Sequence, residues 1–209
     1  LKAPILPDPD FVPHVVDCIR ASGIADRLLL VSFRHDLLQQ AKALMPELRI
    51  GILTLGDLLS MMLPPPVIWQ DLGLVNSMDE PLDEENCPAL KKQVGMVSSV
   101  ISDKLTLIAA LYPQMSVRQI LATLSAQADP AAYVRTLGFP VELVSCEYHT
   151  AFANPEVVNQ LHDAGCKAAF WTVNTEDVVR SLVPLGPDCF VTDRPDVIRE
   201  WIEKAQTET

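Results

Sequence analysis

The side chains equipped for chemistry are few and widely spaced. Trp171 lies in the apolar run Lys167-Ala168-Ala169-Phe170-Trp171-Thr172-Val173, where an indole can simply fill a core. Phe33 follows the run Leu28-Leu29-Leu30-Val31-Ser32, so it stands at the mouth of a strand, against a ligand or within ordinary packing. Glu147 and His149 follow Val141-Glu142-Leu143-Val144-Ser145 on the same side and could stand behind such a site or form a polar loop. Asn174 and Thr175 come just past the Trp171 run, where one of them can cap the next helix. Asp193-Arg194-Pro195 reads as a structural turn in which Pro195 opens a helix and Asp193 caps it or pairs with Arg194.

Metal chemistry finds little support in residue spacing. The four histidines, His14, His35, His149 and His162, form no H-x-x-x-H or H-E-x-x-H pattern. The five cysteines (Cys18, Cys87, Cys146, Cys166, Cys189) are odd in number and contain no C-x-x-C pair, so they read as buried small hydrophobes in a reducing compartment.

The elements that must position these residues alternate regularly. Leu28–Ser32 and Leu48–Leu53 are strand-length apolar runs separated by a helix pattern in which Asp36 can act as cap and Leu37, Leu38, Ala41 and Leu44 share a face. Later strands are expected at 141–145, 167–173 and 188–192, each followed by a helix; Asn154-Pro155-Glu156, Thr175-Glu176-Asp177 and Pro195 mark the helix starts. An earlier helix begins at Asp10 and Pro13 and ends at Gly23, and a strand stump is expected at residue 1. Apolar runs of this kind, each followed by a helix, are buried on both faces, which leaves an open doubly wound sheet or a closed (β/α)8 barrel. No G-x-G-x-x-G follows any run, so dinucleotide binding loses its main support.

Residues 56–128 break the rhythm with Pro64-Pro65-Pro66, an acidic run from Asp79 to Glu85, and helix patterns at 91–111 and 116–126. A connection of that length far exceeds a βα loop of ~2–6 residues and reads as an insertion, either a lid-like segment or an appendage. The domain expectation is therefore an α/β unit formed by 1–55 and 129–209, with 56–128 inserted. With 16 basic against 27 acidic residues and a net charge of −11, nucleic acid is not an expected partner. No stretch approaches the ~20 apolar residues of a membrane-spanning helix, and the opening residues Leu1-Lys2-Ala3-Pro4 are not expected to form a signal peptide.

Taken in order, several stretches resemble the glycerophosphodiester phosphodiesterase family: Val31-Ser32-Phe33, Met45-Pro46-Glu47-Leu48-Arg49-Ile50-Gly51-Ile52-Leu53, His162-Asp163-Ala164-Gly165, Trp171-Thr172-Val173-Asn174, Leu185-Gly186 and Val191-Thr192-Asp193-Arg194-Pro195-Asp196. They fall within about 1–55 and 129–205 and leave the insertion outside. The resemblance implies an α/β fold, a (β/α)8 TIM barrel represented here by its strands 3–8 with the helical insertion after strand 5. It also implies hydrolysis of glycerophosphodiesters to an alcohol and glycerol 3-phosphate, with a divalent cation, Mg²⁺ or Ca²⁺, held by carboxylates. Under it Lys2 matches the lysine of a Glu-x-Lys motif and is the expected catalytic cation, although by itself it reads as a terminal lysine. Trp171 and Phe33 become the expected substrate-binding residues.

The departures from the family pattern matter equally. Its His-Arg-Gly, Glu-Asn-Thr, Glu-x-Asp and His-Asp elements lie on the family's first two strands and their loops, which have no match in this sequence, so no residue here is expected to ligate the metal and the chain alone is expected to be inactive. Two explanations compete: part of a longer gene product, which a start at Leu1 inside a strand motif favours, or a shortened protein acting as a non-catalytic binding module. A related phospholipase-type phosphodiesterase is a further alternative. Removing the insertion leaves about 136 residues, short of the ~200–250 of a full barrel. Open strand edges would then need cover from the inserted helices, a second copy or a partner, and would make the isolated chain poorly soluble. The ligands expected are a glycerophosphodiester or a lysophospholipid, and the expected location is cytoplasmic.

Overall fold

The computed structural model describes residues 1–2, 8–56, 69–87 and 99–207, and within them the chain divides into two compact units. Leu1–Lys2, Asp8–Gly56 and Ala128–Thr209 form the first, and the described residues of Asp57–Gln127 the second. No helix among the described residues is long and apolar enough to cross a membrane.

The first unit is built on a parallel five-stranded sheet in sequential order: β1 (Leu29–Ser32), β2 (Arg49–Thr54), β3 (Leu143–Glu147), β4 (Lys167–Trp171) and β5 (Cys189–Phe190). Successive strands are joined through helices, as parallel strands require. The helices are α1 (Phe11–Ser22), which precedes β1, α2 (His35–Leu44), α5 (Pro130–Val134), α6 (His149–Ala153), α7 (Val157–Asp163), α8 (Glu176–Leu182) and α9 (Ile198–Thr207). The α/β class expected from the alternating runs is the one found. The strands start within two residues of the expected positions.

Strand pleating sorts the side chains onto two faces. Leu30, Ile50, Ile52, Val144, Cys146, Ala168 and Phe170 face the helices and share one core with Val12, Val16 and Ile19 of α1, Leu38 and Ala41 of α2, Val157, Val158 and Leu161 of α7, and Val179 and Leu182 of α8. On the second face the register aligns Val31, Gly51, Leu143 and Lys167 across four strands, and Leu53, Ser145, Ala169 and Cys189 one step further along. Gly51 is required there. A Cβ on it would lie 2.7 Å from Val31 Cγ1 and 3.3 Å from Leu143 Cβ.

Several local expectations are corrected. Asp36 does not cap α2: it sits in the first turn, where Arg34 donates to both its oxygens at 2.8 and 2.6 Å. Burial pushes the Asp36 carboxyl up, but the hydrogen bonds and charge of Arg34 outweigh this and hold it below the ordinary carboxylate value. Asn154 accepts from the Glu156 N–H at 3.2 Å in a turn, and α7 starts at Val157. Pro195 lies in a turn ahead of α9, which begins at Ile198, and Arg194 pairs with Asp196. Cys87, Cys146 and Cys166 are buried as expected, but Cys18 and Cys189 are exposed; none is in a disulfide.

His35 ties three elements together. Its Nε2 lies 3.0 Å from the Leu53 carbonyl, which can only accept, so Nε2 carries the proton and Nδ1 accepts from the Tyr133 hydroxyl at 2.7 Å. Burial pushes this imidazole below its ordinary 6.5, against the Leu53 bond and the Asp36 charge, which act to raise it.

In the second unit, α3 (Ser99–Leu111) and α4 (Val117–Gln127) contribute Leu105, Ile108, Val117, Ile120 and Leu124 to a buried set with Trp69, Leu74 and Val75. The expected helix at 91–111 is seen from residue 99; its residues 91–98, with Val94 and Val97, lie outside the described residues, as does Pro64-Pro65-Pro66. The acidic run is more than a solvated loop. Asp83 Oδ1 accepts from the Glu85 and Asn86 N–H groups at 3.0 and 2.8 Å, and Asn86, buried, donates to the Ser77 and Pro81 carbonyls.

Two outcomes follow for stability. Gly51→Ala should destabilise the fold by about 1–3 kcal/mol through overpacking, seen as a lower urea midpoint; an unchanged midpoint would show that Val31 yields without strain. Because the folded state disfavours protonated His35, its contribution is full above the unfolded value near 6.5 and is lost as pH falls below it. The melting temperature should therefore drop between pH 7 and pH 5, and the drop should be smaller in His35→Gln.

Candidate functional site

The C-terminal ends of the strands bring together residues that are far apart in the chain. Phe33 is the first residue past β1 and Trp171 the last of β4; their rings meet edge to face, centroids 5.1 Å apart at 82°. The indole is fixed by a 3.0 Å bond from its Nε1–H to the Ser145 carbonyl and is 7% exposed. Both residues named from the sequence as substrate-binding thus sit in one cluster. Such a pair presents an apolar, electron-rich wall.

Glu147 lies beside this wall. It is the last residue of β3, directly opposite Trp171 in the ladder, and the next residue, Tyr148, donates its N–H to the Trp171 carbonyl at 3.2 Å. The Glu147 side chain is 2% exposed, so it belongs to the strand rather than to a polar loop. Its oxygens accept from His149 Nδ1 at 3.0 Å and from the His149 N–H at 2.9 Å. Burial pushes the Tyr148 phenol above its ordinary value, and the negative charge of Glu147 adds to this. Just below Trp171 on the same face, Ser145 Oγ is buried with no hydrogen-bond partner among the described residues. An orphaned hydroxyl of this kind costs about 1–3 kcal/mol unless a water or ligand group meets it.

The loops after β4 and β5 are clamped to each other. Asn174 does not cap α8; its Oδ1 accepts from the Asp193 N–H at 2.9 Å and from Thr192 Oγ1 at 3.2 Å, while its Nδ2 donates to Asp193 Oδ2 at 2.8 Å. Asp193 is thereby committed to this clamp rather than to Arg194.

Lys2 is exposed. The Leu1 backbone nitrogen donates to the Val31 carbonyl, and the Leu1 carbonyl accepts from Ser32 Oγ at 2.8 Å, which sets Lys2 alongside the end of β1. Arg34, which the sequence motifs do not single out, follows Phe33 at the same end and is held by Asp36. No group of three or more His, Cys, Asp or Glu that could hold a metal ion is found among the described residues. The Glu147–His149 pairing is the element that sequence reading undervalued; a carboxylate at a strand end two residues before a histidine was its available signal.

Comparison with known proteins bears on this arrangement. The model of the glycerophosphoryl diester phosphodiesterase family matches residues 76–197. That match takes in 76–128, which the motifs leave outside the resemblance, and leaves out 1–75. Among solved structures, a protein from Silicibacter pomeroyi assigned as a glycerophosphoryl diester phosphodiesterase aligns at a TM-score of 0.56 and 20% identity, over 99% of this chain and 49% of its own. A glycerophosphodiester phosphodiesterase from Parabacteroides distasonis aligns at 0.51 and 13% identity over 94% and 52%, and a protein from Galdieria sulphuraria assigned to the same activity at 0.51 and 14% over 97% and 55%. The chain thus spans about half the length of the structures it matches, and they share its fold. No curated protein matches it in sequence. With more than half of its residues under the family model, and with the parallel α/β fold of these structures, the chain belongs to the glycerophosphoryl diester phosphodiesterase family.

Proposed function

We propose that this chain supplies the aromatic wall of a phosphodiesterase pocket, in a protein that hydrolyses glycerophosphodiesters to an alcohol and glycerol 3-phosphate. The edge-to-face pair of Phe33 and Trp171 at the strand ends is the observation that carries the reading. In parallel α/β barrels this is the end where chemistry is placed. A quaternary ammonium head group on the alcohol gains ~0.5–2 kcal/mol against such rings, and the orphaned Ser145 hydroxyl suits a glycerol hydroxyl or a water.

Cleaving a phosphodiester requires neutralisation of charge on the phosphoryl oxygens, a group that activates the nucleophile, and one that protonates the leaving oxygen. Lys2 is the cation this chain offers beside the phosphoryl group. The rest of the barrel, strands 1 and 2 with the family's acid–base histidines and its carboxylates for Mg²⁺ or Ca²⁺, belongs in this reading to the whole protein. The chain alone then binds substrate without turning it over. Residues 56–128 are read as an insertion after the fifth barrel strand.

Calorimetry with glycerophosphocholine tests this reading. The chain should bind it and release no glycerol 3-phosphate with Mg²⁺ or Ca²⁺, while a protein with the complete barrel should release it in a chelator-sensitive way. Trp171→Leu should weaken binding by about 2- to 30-fold, the range of the cation–π gain, with Trp171→Phe recovering part of the loss. Lys2→Ala should weaken binding and leave the melt unchanged. No detectable binding by the folded chain would overturn the reading.

A further inference from the structure

The Glu147–His149 pair goes beyond the aromatic wall. A carboxylate can only accept, so the two 3.0 Å contacts from the Glu147 oxygens to Nδ1 place a proton on that nitrogen. Nε2 has no hydrogen-bond partner among the described residues. The ring is held in place by stacking on Tyr148, centroids 4.2 Å apart at 28°, and by the edge of Phe152 at 5.8 Å and 84°. Its side chain is nevertheless 35% exposed, while that of Glu147 is 2% exposed. A buried carboxylate behind a half-exposed imidazole, with the far nitrogen bare, is the arrangement that orients an imidazole for proton exchange with a ligand.

A purely structural role explains less of this geometry. Starting α6 needs only the bond from the His149 N–H to Glu147 at 2.9 Å; the contact to Nδ1 adds nothing to the helix and fixes the ring. Among the described residues, the titratable groups that face the imidazole are the Glu147 carboxylate on β3 and the Tyr148 phenol ahead of α6. Phe152, the other ring against it, does not titrate.

We propose that His149 is a phosphoryl-contacting residue of this site, donating from Nε2–H to a phosphoryl oxygen of the diester when the ring is protonated, with Glu147 as its positioning residue. This rests on the reading of the strand ends as the glycerophosphodiester pocket. Protonation makes the contact charge-assisted and adds a cation where the described part of the site has Lys2 and the Asp36-bound Arg34. Binding is therefore coupled to proton uptake.

Glycerophosphocholine is a suitable probe, because a phosphodiester keeps one negative charge across the range in which imidazoles titrate. Calorimetry on the 209-residue chain at pH 5.5 and pH 8, in two buffers of different ionisation enthalpy, reads both affinity and proton uptake. The expected result is about fivefold tighter binding at pH 5.5 with net proton uptake. His149→Gln should weaken binding at pH 5.5 and abolish the pH dependence and the uptake. Glu147→Gln should shrink the gain at pH 5.5; if that variant does not fold, His149→Asn replaces it as the second test and should also lose the pH dependence. Binding that depends on Trp171 but is equal at both pH values, or unchanged in His149→Gln, overturns the role of His149 alone. No binding at either pH overturns the pocket reading as well.

Discussion

The site depends on the register of β3 against β4. Glu147 and Trp171 are opposite each other in a parallel ladder, and a slip of one residue would turn Trp171 to the helices and Phe170 to the other face. Packing sets this register more strongly than any single ladder bond. Val144, Cys146, Ala168 and Phe170 are fully buried on the helix side. A side chain the size of Phe170 contributes ~1.5–3 kcal/mol by burial, against ~1 kcal/mol net for one hydrogen bond. The apolar core therefore determines which residues reach the second face, and the backbone bond from Tyr148 to the Trp171 carbonyl continues the alignment past the strand ends.

Charge imposes a second constraint. A chain with net charge −11 is a poor host for an anionic diester unless cations stand at the site. The run from Asp79 to Glu85 belongs to the second unit, where Asp83 serves backbone N–H groups. At the strand ends the buried carboxylate of Glu147 is turned onto His149. In this view a buried acid helps an anion to bind, because it acts through the imidazole.

The fold was largely legible in the sequence because burial on both faces writes long apolar runs, and the strands at 29, 49, 143, 167 and 189 follow those runs closely. What was not legible is what depends on contacts between distant residues. Asn174 next to Thr175 looks like a helix cap, and only the fold brings Asp193 within 2.8 Å of it. Pro195 suits a helix start, yet it lies in a turn across which Arg194 pairs with Asp196. Of the candidate site, Trp171 and Phe33 could be named from local pattern, whereas their contact and the burial of Glu147 could not. Burial of Glu147 follows from pleat parity at the last position of β3, and local composition there reads as polar.

A crystal structure of the chain with glycerophosphocholine would test the central claim most directly, by locating the phosphodiester. The account predicts its choline or glycerol portion against Trp171 and Phe33 and its phosphoryl group within hydrogen-bonding distance of His149 Nε2 or Lys2. A ligand seated instead in the apolar groove of about 440 Å³ lined by Phe11, Val15, Ile19 and Leu28, away from the strand ends, would contradict it.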